Sequence, residues 1–189
     1  MSIDLFNLDF FLNIKYLFNL KSYIPTITLS NLLTLEQKID FSIEGIILDV
    51  DQTVMPYGSS KLSTEYKKYL IDISTRYKCC FLSNFPKTES KLSRLTDLSK
   101  ETGIEVIYSR RKKPDPLPFK LAIKYLKLSP NKVIMVGDRV FTDILGANNF
   151  GIKTALIKPI NPSSDPFWMV QIPRFIEYTL YKLISSIFE

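Results

Sequence analysis

In ILDVDQTVMP (47–56) an apolar run ends in two aspartates one residue apart, Asp49 and Asp51, with Thr53 two positions further on. Carboxylates are costly at the end of a buried strand unless something there uses them. Similar endings recur along the chain. Ser83 and Asn84 close FLSN (81–84), and Lys113 lies in RRKKPDPLP (110–118). Asp138 ends KVIMVGD (132–138), with Asp143 five residues later. Two or three carboxylates suit Mg²⁺, a hard cation that takes oxygen ligands and often shares them with phosphate. A hydroxyl, backbone N–H groups and a lysine suit phosphoryl oxygens. One carboxylate can attack phosphorus while a second gives and removes the proton.

Composition narrows the chemistry. The chain has no histidine, which excludes His-based triads, His bases and His metal sites. Acid–base work must then fall to carboxylates, Lys, Tyr or Cys. The two cysteines, Cys79 and Cys80, are adjacent and read as apolar fillers on opposite faces of a strand, in a reducing compartment. The net charge of +6 favours anionic partners, but no block of five like charges occurs. The basic residues form no stripe with interleaved aromatics, so no nucleic-acid partner is expected. Asp4 and Asp9 interrupt the apolar N-terminus, which argues against a secretory signal. No run of about 18 uncharged apolar residues occurs, so no transmembrane helix is expected. The expected location is intracellular, cytoplasmic or organellar, with peripheral membrane contact an option.

Strands alternating with helices must position these residues. Strands are expected at 44–50, 78–84, 105–109, 132–138 and 153–158. Helices are expected at 63–77 with Ser63 as N-cap, from Pro86 to about 101, at 119–128, at 142–149 and from Pro173 to the end. Short helices are plausible around 3–20 and 30–40. This alternation implies right-handed crossovers and an α/β fold: a three-layer, Rossmann-like arrangement with a five-stranded, mostly parallel sheet and helices on both faces. Ligands in such sheets bind at the carboxyl edge, where residues distant in sequence converge. The whole of 1–189 reads as one domain: an N-terminal extension (1–40), a catalytic core (44–158) and a C-terminal amphipathic helix (166–189).

The motifs then carry a resemblance. LDVDQT is similar to the D-x-D-x-T signature of haloacid-dehalogenase-like hydrolases. FLSN resembles their second motif, KKP (112–114) their third and VGDRVFTD (136–143) their fourth, in the right order over roughly 44–158. The resemblance implies that Asp49 is the nucleophile and Asp51 the general acid and base. Asp49, Asp138 and the backbone carbonyl of Asp51 would hold Mg²⁺. Thr53 would support the nucleophile loop, Ser83 and Asn84 would meet the phosphoryl group, and Lys113 would neutralise it, with Lys112 as the alternative lysine. Asp143 would orient Lys113 or a water. Gln52 departs from the Asn or Glu common in relatives.

About 30 residues separate Asp51 from Ser83, and about as many separate Asn84 from Lys113. Neither gap has room for a cap domain, so the crevice should stay open to a phosphate on a bulky partner. The capless layout, KKP followed by Pro and Phe, and GDRVFTDILGANNFGIKTALIKP resemble the phosphatidylglycerophosphatase branch. That resemblance implies Mg²⁺-dependent release of phosphate from phosphatidylglycerophosphate through an aspartyl-phosphate. The alternatives are a phosphatase for a soluble metabolite, nucleotide or phosphoprotein, and an inactive scaffold of the same fold. The aromatic N-terminus and the C-terminal helix, with Phe167 and Trp168 before it, read either as packing elements or as a membrane-surface contact. The oligomeric state stays open.

Overall fold

The computed structural model describes residues 19–84 and 88–188. Its strands are β1 (Ile27–Leu29), β2 (Gly45–Leu48), β3 (Lys78–Phe81), β4 (Glu105–Val106), β5 (Val133–Gly137) and β6 (Lys153–Ile157). They form one sheet in the order β1-β6-β5-β2-β3-β4, every pair parallel. The helices are α1 (Thr64–Arg76), α2 (Glu89–Thr102), α3 (Pro116–Leu126), α4 (Leu145–Asn149) and α5 (Ile172–Phe188). All five expected strands are present. The sheet has a sixth, β1, which lies inside the segment read as an extension and pairs with β6, Thr28 opposite Leu156. Three residues at a sheet edge are too short to show a period, which is why the sequence hid it.

Parallel strands are covered on both faces, so they read as continuous apolar runs. Their period of two still divides them. Ile46, Leu48, Phe81, Ile134 and Val136 pack with Leu70 and Ile73 of α1 and with Leu95 and Leu98 of α2. Ile47, Cys80, Leu82 and Met135 face the other way, onto Phe119 and Ala122 of α3 and Ala147 of α4. The three layers follow directly. Cys79 joins the first cluster and Cys80 the second, and both thiols are free. Burial pushes the Cys79 thiol up to about 12, which leaves it inert as a thiolate nucleophile.

Helix ends obey local chemistry. Ser63 Oγ accepts from Tyr66 N at 3.2 Å and opens α1. Asp115 Oδ1 accepts from Leu117 N at 2.8 Å and opens α3, with Pro116 in its first turn. The helix expected over 142–149 is divided: a wide turn at Val140–Ile144 feeds a short α4. Around 30–40 the chain makes only a short 3₁₀ turn, Leu32–Thr34, and a following turn in which Lys38 N and Ile39 N donate to the Leu35 carbonyl, with Leu32 and Leu35 sunk into the first core. The short helix expected at 3–20 falls almost wholly outside the described residues, as does Pro86. Finally, Tyr23, Val140, Leu145 and Ile184 form a third cluster that fastens α5 to the body.

Candidate active site

The strand ends assemble the site. Asp49 follows β2, and its N–H donates to the Val136 carbonyl at 2.9 Å, which extends the β2–β5 ladder by one step. Asp138 follows β5 and therefore stands beside it. Asp49, Asp138 and Asp143 each bring one carboxylate oxygen within 4.8 Å of the others. Gly137 makes this possible. A Cβ there would lie 2.4 Å from Asp143 Cγ, so only glycine lets Asp143 fold back under the strand end. Asp143 Oδ2 also accepts from Arg139 N at 3.1 Å.

Lys113 reaches the cluster from the loop before α3. Its Nζ lies 2.7 Å from Asp49 Oδ1 and 2.6 Å from Asp143 Oδ1. Asn84 clasps the backbone of the same residue: Lys113 N donates to Asn84 Oδ1 at 2.6 Å, and Asn84 Nδ2 donates to the Lys113 carbonyl at 3.1 Å. Asn84 thus positions the lysine. Gly146 lets α4 pack closely behind this loop, since a Cβ there would come within 3.0 Å of Pro114 Cα. Lys112 is exposed, whereas Lys113 is buried. Ser83 sits at the same edge, because Leu82 N still donates to the Leu48 carbonyl at 2.8 Å. Thr53 is fully buried, and its hydroxyl has no partner among the described residues.

The charges do not balance within the cluster. Burial pushes Asp49 up to about 7; Lys113 pulls it back, and Asp143 adds to the rise. Asp138 is raised well above the usual carboxylate range by burial, then by Asp143 and Asp49, with Arg174 and Arg139 opposing. Burial works against the Lys113 charge, but Asp143 and Asp49 outweigh it and lift it to about 12. Three buried carboxylates face Lys113 and, at Asp138, an Arg174 shared with Asp165, so the cluster keeps an excess of acidic groups and an all-oxygen donor set. That set fits a hard divalent cation such as Mg²⁺.

Asp51 stands apart from this cluster. Its carboxylate is gripped by Arg94 of α2: Nη1 donates to Oδ1 at 2.8 Å and Nη2 to Oδ2 at 3.0 Å. Two further links reach the site from the C-terminal region. Arg174 of α5 is ion-paired with both Asp138 and Asp165. Gln52, with φ of 65° in the left-handed region, donates its amide to the Asn161 carbonyl and to Asp165 Oδ1, both at 2.7 Å. Its Oε1 accepts from Asn161 N at 2.8 Å.

None of Arg94, Arg174 or Asp165 belongs to a motif, and the sequence reading missed them. A signal existed for two. Arg94 precedes Leu98 by four residues and Thr102 by eight, on the buried face of α2. Arg174 precedes Glu177 by three and Ile184 by ten, on the buried face of α5. A charge on an apolar stripe marks a partner waiting across it.

Motif order and strand-end geometry agree, and together they make this chain a phosphatase of the haloacid-dehalogenase-like class. The chain belongs to the mitochondrial PGP phosphatase family, which it matches over residues 10–161. It is 27% identical over 170 residues to "Probable phosphatase YqeG" of Bacillus subtilis, covering 88% of this chain and 92% of that protein. It is 31% identical over 147 residues to "Phosphatidylglycerophosphate phosphatase 1, chloroplastic/mitochondrial" of Arabidopsis thaliana, covering 74% of this chain but 41% of that longer protein. Against "Phosphatidylglycerophosphatase GEP4, mitochondrial" of Saccharomyces cerevisiae it is 29% identical over 150 residues, 73% of this chain and 79% of that one.

Proposed function

We propose that the protein is a Mg²⁺-dependent phosphomonoesterase that removes the terminal phosphate of phosphatidylglycerophosphate through an aspartyl-phosphate on Asp49. The observation that carries this reading is Asp49 itself, buried between Asp138 and Asp143 with the Lys113 ammonium 2.7 Å from Oδ1. Asp49 attacks phosphorus as the ester P–O bond breaks, and Asp51 gives its proton to the departing oxygen. Asp51 then takes a proton from water, the resulting hydroxide attacks phosphorus, and the Asp49–phosphorus bond breaks to release inorganic phosphate. Asp49, Asp138 and the Asp51 carbonyl would hold Mg²⁺, which supplies charge neutralisation on the phosphoryl oxygens. Lys113 adds fixed positive charge on the same group, oriented by Asp143 and Asn84. Ser83 is the hydroxyl at this edge that would meet the phosphoryl group, and buried Thr53 supports the nucleophile loop from within.

Support for a lipid substrate comes from α5 and from the names of the relatives. The outward face of α5 exposes Phe175, Ile176, Leu180, Leu183 and Ile187, and Phe167, Trp168 and Met169 are exposed just before it. Glu177 and Asp165 are both buried, so this face shows no exposed carboxylate over 166–188, while Lys182 is exposed. An apolar, aromatic face with one exposed cation and no exposed acid suits an anionic bilayer surface. No helix among the described residues is long and apolar enough to cross a membrane. The test is phosphate release from phosphatidylglycerophosphate in detergent, from sugar phosphates, from nucleotides and from phosphopeptides, with Mg²⁺ and with EDTA. Metal-dependent release is expected to be fastest from the lipid and slower from the soluble esters, with Asp49→Asn folded and inactive. Release from another class and none from the lipid would sink the substrate assignment.

A further inference from the structure

Asp51 and Arg94 form a pair that no motif accounts for. Arg94 is buried although charged, on the face of α2 that also buries Leu95 and Leu98. A buried guanidinium needs a partner, and this one holds both oxygens of Asp51 in a fork. The fork is itself braced. Arg94 Nη1 also donates to the Ser59 carbonyl at 3.2 Å, and Gly58 N donates to Asp51 Oδ1 at 3.0 Å. The two oxygens are therefore held unequally. Oδ1 accepts from Arg94 and from Gly58, whereas Oδ2 accepts from Arg94 at the longer distance.

We infer that Arg94 is the positioning residue for the general acid. Oδ1 is the pivot, and Oδ2 is the oxygen that carries the proton to and from the substrate. The inference rests on the phosphatase reading above. As the Asp49–phosphorus bond forms and the ester P–O bond breaks, the proton on Oδ2 passes to the departing oxygen, and the carboxylate settles back into the two-point fork. In an enzyme without a cap, no second domain closes over Asp51 to fix its side chain. Arg94 and the Gly58–Ser59 loop hold it from beside the crevice instead. The role is orientation, since Arg94 grips Asp51 and not the phosphate cluster of Asp49, Lys113 and Asp143.

The test uses leaving groups. kcat/KM reports the steps up to transfer of the phosphoryl group to Asp49, and so whether the departing oxygen needs a proton. An alkyl phosphate such as glycerol 3-phosphate needs it; p-nitrophenyl phosphate, whose phenolate leaves unaided, does not. Arg94→Gln should lower kcat/KM on the alkyl ester at least about tenfold more than on the aryl ester. Arg94→Lys, which keeps one charged donor, should recover part of that difference and serves as the readout if the Gln variant does not fold. In an Asp51→Asn background, Arg94→Gln should add no further selective loss, since its effect runs through Asp51. Equal losses on both esters, no loss, or an unchanged selective loss in the Asp51→Asn background would overturn the inference. A wild type inactive on every phosphate ester would overturn the phosphatase reading and this inference with it. An active wild type with uniform losses would overturn the inference alone.

Discussion

The floor of the crevice and its outer wall are built on opposite terms. The floor is made by strand ends: Asp49, Asp138 and Asp143 are buried together, with Lys113 between Asp49 and Asp143 and Arg174 on Asp138, so each charge depends on its neighbours. The wall is made by α5, which spends one face on the ion pairs of Arg174 and Glu177 and leaves the other as bare hydrocarbon. Changes on the floor should therefore damage folding and chemistry together. Changes on the outside of the wall should touch neither and alter only where the enzyme works.

Lys113→Met should show the first half of that contrast most strongly. It leaves Asp49 and Asp143 buried without their cation, at a cost of about 3–5 kcal/mol in denaturant unfolding. A loss below about 1 kcal/mol would mean that the floor tolerates an unpaired charge, and the contrast would fail. The outer wall is next. Phe175→Asp with Leu183→Asp should weaken sedimentation with anionic vesicles at least about tenfold, while turnover of a water-soluble phosphate ester stays within about twofold. Loss of soluble turnover as well would show that the wall is not separable from the floor.

The smallest effect is the pH dependence of stability. In metal-free protein Asp49 is held at about 7, above its usual value, mainly by burial. From about pH 4 upward the unfolded chain releases this proton while the folded chain keeps it, so stability falls as pH rises toward 7. Asp49→Asn should flatten the decline in Tm between pH 5 and pH 7.5. Identical slopes would place the proton on another group.

How much of this was legible beforehand differs between floor and wall. Asp49, Asp138 and Lys113 could be read because each follows a buried apolar run or sits in an ordered motif, and parallel topology then forces them together. Asp143 could be read by spacing, but its purchase on Lys113 depends on Gly137 having no side chain. Asn84 looked like a phosphate contact, whereas its amide is occupied with the Lys113 backbone. Arg94 and Arg174 were hidden because a charge within an amphipathic helix usually means solvent, and the strand-end carboxylate each one holds lies far off in sequence, Asp51 43 residues from Arg94 and Asp138 36 from Arg174. β1 was hidden by its three-residue length.

Gln52 sits at the middle of the catalytic motif, yet its amide is bonded almost entirely to residues more than a hundred positions downstream. An amide can donate to Asp165 and accept from Asn161 N in the same place. A glutamate at 52 would set a carboxylate against Asp165 at a 2.7 Å contact. Substitution at 52 is therefore tied to what stands at 161 and 165, and the three positions should drift as a set across related chains. A shortened version ending at residue 158 would strip the catalytic loop of these bonds, and Asp138 of Arg174. The tail is part of the scaffolding of the candidate site, and any trimmed or fused variant should keep it through α5.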